Sequence, residues 1–256
     1  MRGAAMWLGR GLVGILVLLS PGTAGAAEIK VLSAGAVRAI VTELAQAFEK
    51  DTGHTVTLAF GTVGVTRKRL AEEPADVVIM TDVAIDESSA QGAVVAGSRN
   101  DIARTGMGVG VREGAPKPDI STPDAFKQAL LAARSLTYVD PAQGATSGIH
   151  FAGLLQKFGI ADAVKPKTTL VPGGYPAELV ARGEVEMVVH QISEIVPVRG
   201  VTLVGPLPKD VQKVTTYSAG IAKKAATPET ARAFVAFLTS PAMKPKFVAA
   251  GLDYKD

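Results

Sequence analysis

The chain has 256 residues, enough for one large domain or two small ones. Hydrophobic residues make up 47% and charged residues 20%, which excludes a disordered chain, and the absence of cysteine excludes disulfides, thiolate metal sites and cysteine nucleophiles. The net charge of +3 falls to +1 once Arg2 and Arg10, in an acid-free stretch at residues 1–26, are set aside; with 5% aromatics, neither charge nor stacking surface favours nucleic acid.

Residues 1–26 read as a secretory signal. Two arginines precede the apolar run GLVGILVLL at 11–19, and Ala24-Gly25-Ala26 supplies the small residues of a cleavage site. The run is about half of the ~20 residues a membrane span needs. Cleavage after Ala26 is expected, leaving 230 residues free in the periplasm.

Strands and helices then alternate. EIKVLS at 28–33 reads as a buried strand, and Val37, Ile40, Val41, Leu44 and Phe48 recur at helical spacing up to Gly53. HTVTLAF at 54–60 alternates as a strand, a turn at 61–64 opens a helix to about Glu72, and ADVVIM at 75–80 is apolar on both faces. The Gly-rich TGMGVGV at 105–111 marks a change between two sets of βα units. Thr122-Pro123-Asp124 opens a helix, 135–139 is a strand, 147–158 and 173–182 are helices, and 185–190 is a strand. Thr227-Pro228 and Ser240-Pro241 open two closing helices. The pattern predicts an α/β chain with two open sheets flanked by helices: lobe I from 27–104 and 196–256, and lobe II from 105–195. Crossings between lobes are expected near 105–112 and 192–202, with a ligand cleft between them.

In open parallel sheets ligands sit beyond the strand ends, where helix N-termini leave backbone donors and partial positive charge. Four turns fit that description: Ser33-Ala34-Gly35-Ala36, Gly61-Thr62-Val63-Gly64, Gln143 to Gly148, and Pro172-Gly173-Gly174-Tyr175. Any one of them reads first as an ordinary capped βα loop; four in a two-lobed exported chain shift the balance toward convergence on one cleft. His54, His150 and His190 lack metal-ligand spacing, and no GxSxG hydrolase motif is present. His190 ends the apolar strand MVVH, where a side chain faces either the core or the cleft. Arg67, one turn into its helix, is either a solvated charge or within reach of an anion.

In order, IKVLSAGAV from Ile29, LAFGTVGVTRKRL from Leu58, PADVVIMTD from Pro74, YVDPAQGATSGIHFA from Tyr138, VARGEVEMVVHQISEI from Val180 and the closing string from Thr227 to Leu252 resemble the periplasmic molybdate-binding proteins of ABC importers. The resemblance runs over nearly the whole chain after residue 26. It implies a two-lobed type II binding-protein fold with its ligand at the hinge cleft. It also implies no metal or cofactor, a monomer, and an inner-membrane ABC permease as partner. The family's two hydroxyl positions fall on Ala36 and Val63, with Ser33 and Thr62 beside them; its backbone donors fall near Ser147 and near Pro172 or Gly173; its strand-end tyrosine matches His190. The lost hydroxyls and the histidine turn the expected ligand from molybdate toward an organic carboxylate.

Two readings follow from the resemblance. The first is a solute receptor that binds a small anion through Ser33, Gly35, Ala36, Gly61, Thr62, Val63, Arg67, Thr146, Ser147, Gly173, Gly174 and His190. The second is an aconitate isomerase on the same fold, with His190 or else His150 moving an allylic proton and Arg67 clamping a carboxylate. A histidine in the cleft beside a cation separates the two.

Overall fold

In the computed structural model residues 25–254 are described; the expected signal at 1–26 lies outside them apart from Gly25 and Ala26. The chain begins with β1 (Glu28–Ala34), a 3-10 turn at Gly35–Val37 and α1 (Arg38–Thr52). Ile40, Val41, Leu44 and Phe48 of α1 are buried, and Gly53 ends the helix in the left-handed region at φ 74°. Next come β2 (Thr55–Gly61), α2 (Val63–Glu72), β3 (Val77–Thr81), α3 (Asp82–Ala90) and β4 (Asn100–Thr105). The Thr62 hydroxyl caps α2 by accepting from Val65 N–H, and Thr81 caps α3 through Ala84 N–H.

The second sheet is entered at β5 (Met107–Arg112) and continues through α4 (Pro123–Ala132), β6 (Leu136–Val139), α5 (Thr146–Lys157), α6 (Ala161–Val164) and β7 (Thr168–Val171). It is completed by α7 (Ala177–Ala181), β8 (Met187–Gln191), α8 (Ile192–Ile195) and β9 (Val201–Pro206). The chain then returns to the first sheet with β10 (Thr215–Ile221), α9 (Pro228–Leu238), α10 (Lys244–Ala249) and β11 (Asp253–Tyr254). Strand order is β11-β4-β10-β3-β1-β2 in one sheet and β7-β6-β8-β5-β9 in the other. In each, three neighbouring strands are parallel, β3-β1-β2 and β7-β6-β8, and the strands around the crossings run antiparallel.

Strand alternation puts apolar layers on both faces. Val31 packs with α1 and α9 on one side of β1, while Leu32 packs with β3 and α3 on the other. In β8 Val189 belongs to the layer under α4 and α5, and Val188 to that under α7 and α8. Among the described residues no helix is long and apolar enough to cross a membrane.

Two expectations shift. The chain crosses at Gly106, but the return expected near 192–202, with lobe I resuming at 196, comes only after Pro206, because β9 pairs with β5 from Val201 onward. Half-buried at the sheet edge, β9 carries no run of fully apolar residues to announce it. The helix expected at 173–182 is shorter, starting at Ala177 after a bent segment in which Gly174 has φ 79°.

One buried carboxylate joins distant parts of the first sheet. Asp76, 5% exposed, accepts from Lys30 N–H at 2.8 Å, Thr227 N–H at 2.9 Å and the Thr227 hydroxyl at 3.1 Å. It ties β1 to the start of α9. Asp76→Ala strands two backbone donors and is expected to cost about 2–4 kcal/mol, lowering Tm by roughly 5–12 °C. Thermal and urea unfolding measure this, and a loss below about 0.5 kcal/mol removes the carboxylate from any stabilising role.

Candidate functional site

The parallel strands of both sheets end at one place. A cavity of about 40 Å³ there is lined from the first sheet by Ala34, Gly35, Ala36 and Arg38, by Gly61, Thr62 and Val63, and by Tyr217 of β10. The second sheet supplies Val139, Ala145, Thr146, Ser147, Gly173, Gly174, His190, Gln191 and Glu194. All four Gly- and Ser/Thr-rich turns of the sequence therefore converge.

The start of α5 is set tightly against the end of β6. A Cβ on Gly148 would lie 2.1 Å from the Val139 carbonyl oxygen, so only glycine lets the helix N-terminus reach the cavity wall. Ala145 caps α5 without a side-chain hydrogen bond. Ser147, the second residue of α5, puts its hydroxyl 2.9 Å from His190 Nδ1. His190 and Gln191 close β8, and Glu194 follows one turn later in α8.

His190 is 2% exposed and Glu194 6%. Glu194 Oε2 approaches His190 Nε2 to 3.2 Å, yet the direction in which an N–H would point misses it, and Nε2 has no hydrogen-bond partner. Gln191 donates to the Tyr217 hydroxyl at 3.2 Å, joining the sheets at the floor, while its Oε1 is likewise unpartnered. The buried Nε of Arg38 is a third such atom. Three unpartnered polar atoms from residues around one cavity mark a place built for a polar molecule. Burial, then the nearby Glu194 charge, pushes the Tyr175 phenol up to about 12, and the same causes in the same order raise Tyr217. Both phenols stay protonated and can donate. Among the described residues no cluster of His, Asp and Glu is placed to hold a metal ion.

Three expected residues lie elsewhere. Ser33 is fully buried beneath the strand end, with its hydroxyl on the Ala34 carbonyl at 3.1 Å, because strand alternation turns it away from the cavity. Arg67 reaches over the surface of α2 to pair with Glu87 at 2.7 Å. His150 points off the other side of α5, with Nε2 2.9 Å from the Val211 carbonyl oxygen. The reading of single turns missed Arg38, Gln191, Glu194 and Tyr217. His190 and Glu194 meet through the turn from β8 into α8, so neither strand nor helix periodicity signals the pair. Tyr217 had no signal either, because β10 reaches the cavity only through sheet pairing.

At the rim the two lobes touch directly. The Thr62 hydroxyl donates to the Gln143 carbonyl, and Gly64 N–H to the Gly144 carbonyl at 3.2 Å. A Cβ on Gly64 would meet Gly144 Cα at 2.9 Å. The cavity so enclosed has room for a few waters, so a larger ligand must part the lobes to get in.

The chain is similar to known proteins over most of its length. A family model for bacterial extracellular solute-binding proteins matches residues 29–253. An aconitate isomerase from a Pseudomonas species is 38% identical over 219 residues, 83% of this chain and 82% of that protein. The periplasmic molybdate-binding protein of Azotobacter vinelandii superposes with a TM-score of 0.72 at 21% identity, covering 89% of this chain and 100% of that one. The PEB3 protein of Campylobacter jejuni with L-phospholactate bound gives a TM-score of 0.67 at 17% identity, covering 89% and 100%.

Direct contact at the rim makes closure testable. Wild-type protein is expected to hold the rim together, and Gly64→Val, which forces the rim apart, to have a larger radius of gyration. Small-angle scattering reads both; equal radii for variant and wild type would show that the rim contact does not limit closure.

Proposed function

Since the chain belongs to the bacterial extracellular solute-binding protein family, we propose that it holds a small organic anion between its lobes and acts on it, as an isomerase of an aconitate-class unsaturated tricarboxylate. The observation that carries this reading is His190: buried in the cleft, Nδ1 engaged by Ser147, Nε2 unpartnered, and a carboxylate beside it. A receptor for a simple oxyanion needs neither an acid–base group nor a counter-charge. The 38% identity to an aconitate isomerase supports the same choice over the receptor reading.

The chemistry is a 1,3-proton shift. With Nδ1–H donating to the Ser147 oxygen, the lone pair of Nε2 is the base. It removes a proton from the substrate's allylic methylene; the electron pair spreads over the allyl unit into a carboxylate, and the double bond moves. The imidazolium then returns the proton to the far carbon, so no proton is gained or lost. Glu194 Oε2, 3.2 Å from Nε2, stabilises the imidazolium between the two transfers. The negative charge on the substrate faces the open N-terminal turn of α5. Ala36 and Val63 offer no hydroxyls, which favours a carboxylate ligand over molybdate. Export to the periplasm through residues 1–26 belongs to the same proposal.

In heavy water, the protein is expected to wash deuterium into trans-aconitate while converting it to the cis isomer. His190→Ala should lower kcat by roughly 10²–10⁴-fold while calorimetry still detects tricarboxylate binding. Absence of exchange together with submicromolar, His190-independent molybdate affinity would overturn the enzyme and restore the importer receptor. Sequencing of protein recovered from a bacterial periplasm should begin at Ala27; an intact Met1 would sink the export step.

A further inference from the structure

Arg38 stands where a cation is poorly accommodated. It is the first residue of the 15-residue α1, whose first turn contains no acid, so its charge adds to the positive end of the helix dipole. It makes no ion pair among the described residues, and its Nε is buried without a partner. Its guanidinium carbon lies 4.8 Å from the ring centre of Phe60, at the end of β2, and 5.5 Å from that of Tyr175, in the segment after β7. One ring belongs to each lobe. The stacking offsets part of the cost of desolvation and leaves the planar N–H edge available. Of the groups lining the cavity, Arg38 is the one permanent cation, and Glu194 is the one carboxylate.

We propose that Arg38 is the carboxylate-binding and specificity-determining residue of the cleft, gripping a substrate carboxylate through its N–H edge while Tyr175, carried in by the second lobe, covers its face. This deepens the reading of the site as one for tricarboxylates and rests on it for the substrate class. The clamp takes the place assigned to Arg67 from the sequence. The ring of Tyr175, more than its hydroxyl, does the covering. Because Arg38 and Phe60 belong to one lobe and Tyr175 to the other, the clamp is complete only when the lobes are together, so a bound carboxylate favours closure.

The probe is propane-1,2,3-tricarboxylate, which has the carboxylates of aconitate but no double bond to move. Calorimetry on the mature protein should show roughly 100-fold weaker binding for Arg38→Gln and roughly tenfold weaker for Arg38→Lys, which keeps the charge but loses the planar edge. Tyr175→Phe should stay within about threefold of wild type and Tyr175→Ala lose roughly five- to tenfold. With aconitate as substrate, the Arg38 variants should raise KM far more than they lower kcat. Unchanged affinity in Arg38→Gln, equal losses in Tyr175→Phe and Tyr175→Ala, or no binding of the probe by wild type would each overturn the clamp. If wild type binds the probe through Arg38 but never exchanges protons with aconitate, the clamp stands and the isomerase reading fails. Loss of exchange in His190→Ala with probe affinity intact supports both.

Discussion

His190 sits at the end of β8 where the two sheets meet, almost out of reach of solvent, so each ring nitrogen has to find a partner either in the protein or in the cleft. Ser147 meets one requirement. The other is left to the cavity, and the rest of the site is arranged around that unmet nitrogen. Gly148 brings α5 close enough for Ser147 to reach the ring. The turn from β8 into α8 brings Glu194 back to the same imidazole. Gly35 leaves space for that carboxylate, since a Cβ there would lie 2.9 Å from Glu194 Oε1. Glycines in two turns, Gly35 and Gly148, are thus conditions for one buried base.

The parts of the fold readable from the sequence are those with strong local periodicity. The β1–α1–β2–α2–β3 unit and the helices opened by Thr122-Pro123 and Thr227-Pro228 carry both caps and apolar spacing, and they form where expected. Strands β4, β9 and β10 do not announce themselves. Asp101 and Arg104 interrupt β4, small and polar residues thin β10, and their pairing depends on partners far along the chain. The site divides along the same line. Turns rich in glycine and hydroxyl groups could be found one by one, and the structure gathers all four at one cavity. Side-chain direction was harder. Ser33 and Arg67 are within a few residues of cavity-lining positions but face away, one through strand alternation and the other through its turn of α2. Nothing in the sequence distinguishes Arg38 from other charges at helix starts; the rings over it set it apart.

The fold is shared with a molybdate-binding protein and with a phospholactate-bound one, and in this chain the turns after the parallel strands line one cavity. Around that cavity stand three groups able to carry charge: an imidazole and a carboxylate from one strand-to-helix turn, and a guanidinium from the opposite lobe. None of the three requires a change in backbone course. On the proposed reading, a solute-binding scaffold carries proton-transfer chemistry through side chains placed in a few turns.

The crossing segments also have their own lock. The Gln212 side-chain amide accepts from Met107 N–H at 2.8 Å and donates to the Met107 carbonyl at 2.9 Å, so the outgoing and returning chains are laced together like neighbouring strands. Such lacing resists sliding of one segment past the other. The two sheets are thereby joined at three levels: the crossing, the Gln191–Tyr217 bond at the floor and the Gly64–Gly144 contact at the rim. Floor and rim contacts are made by different residues, so a substitution at one leaves the geometry of the other in place.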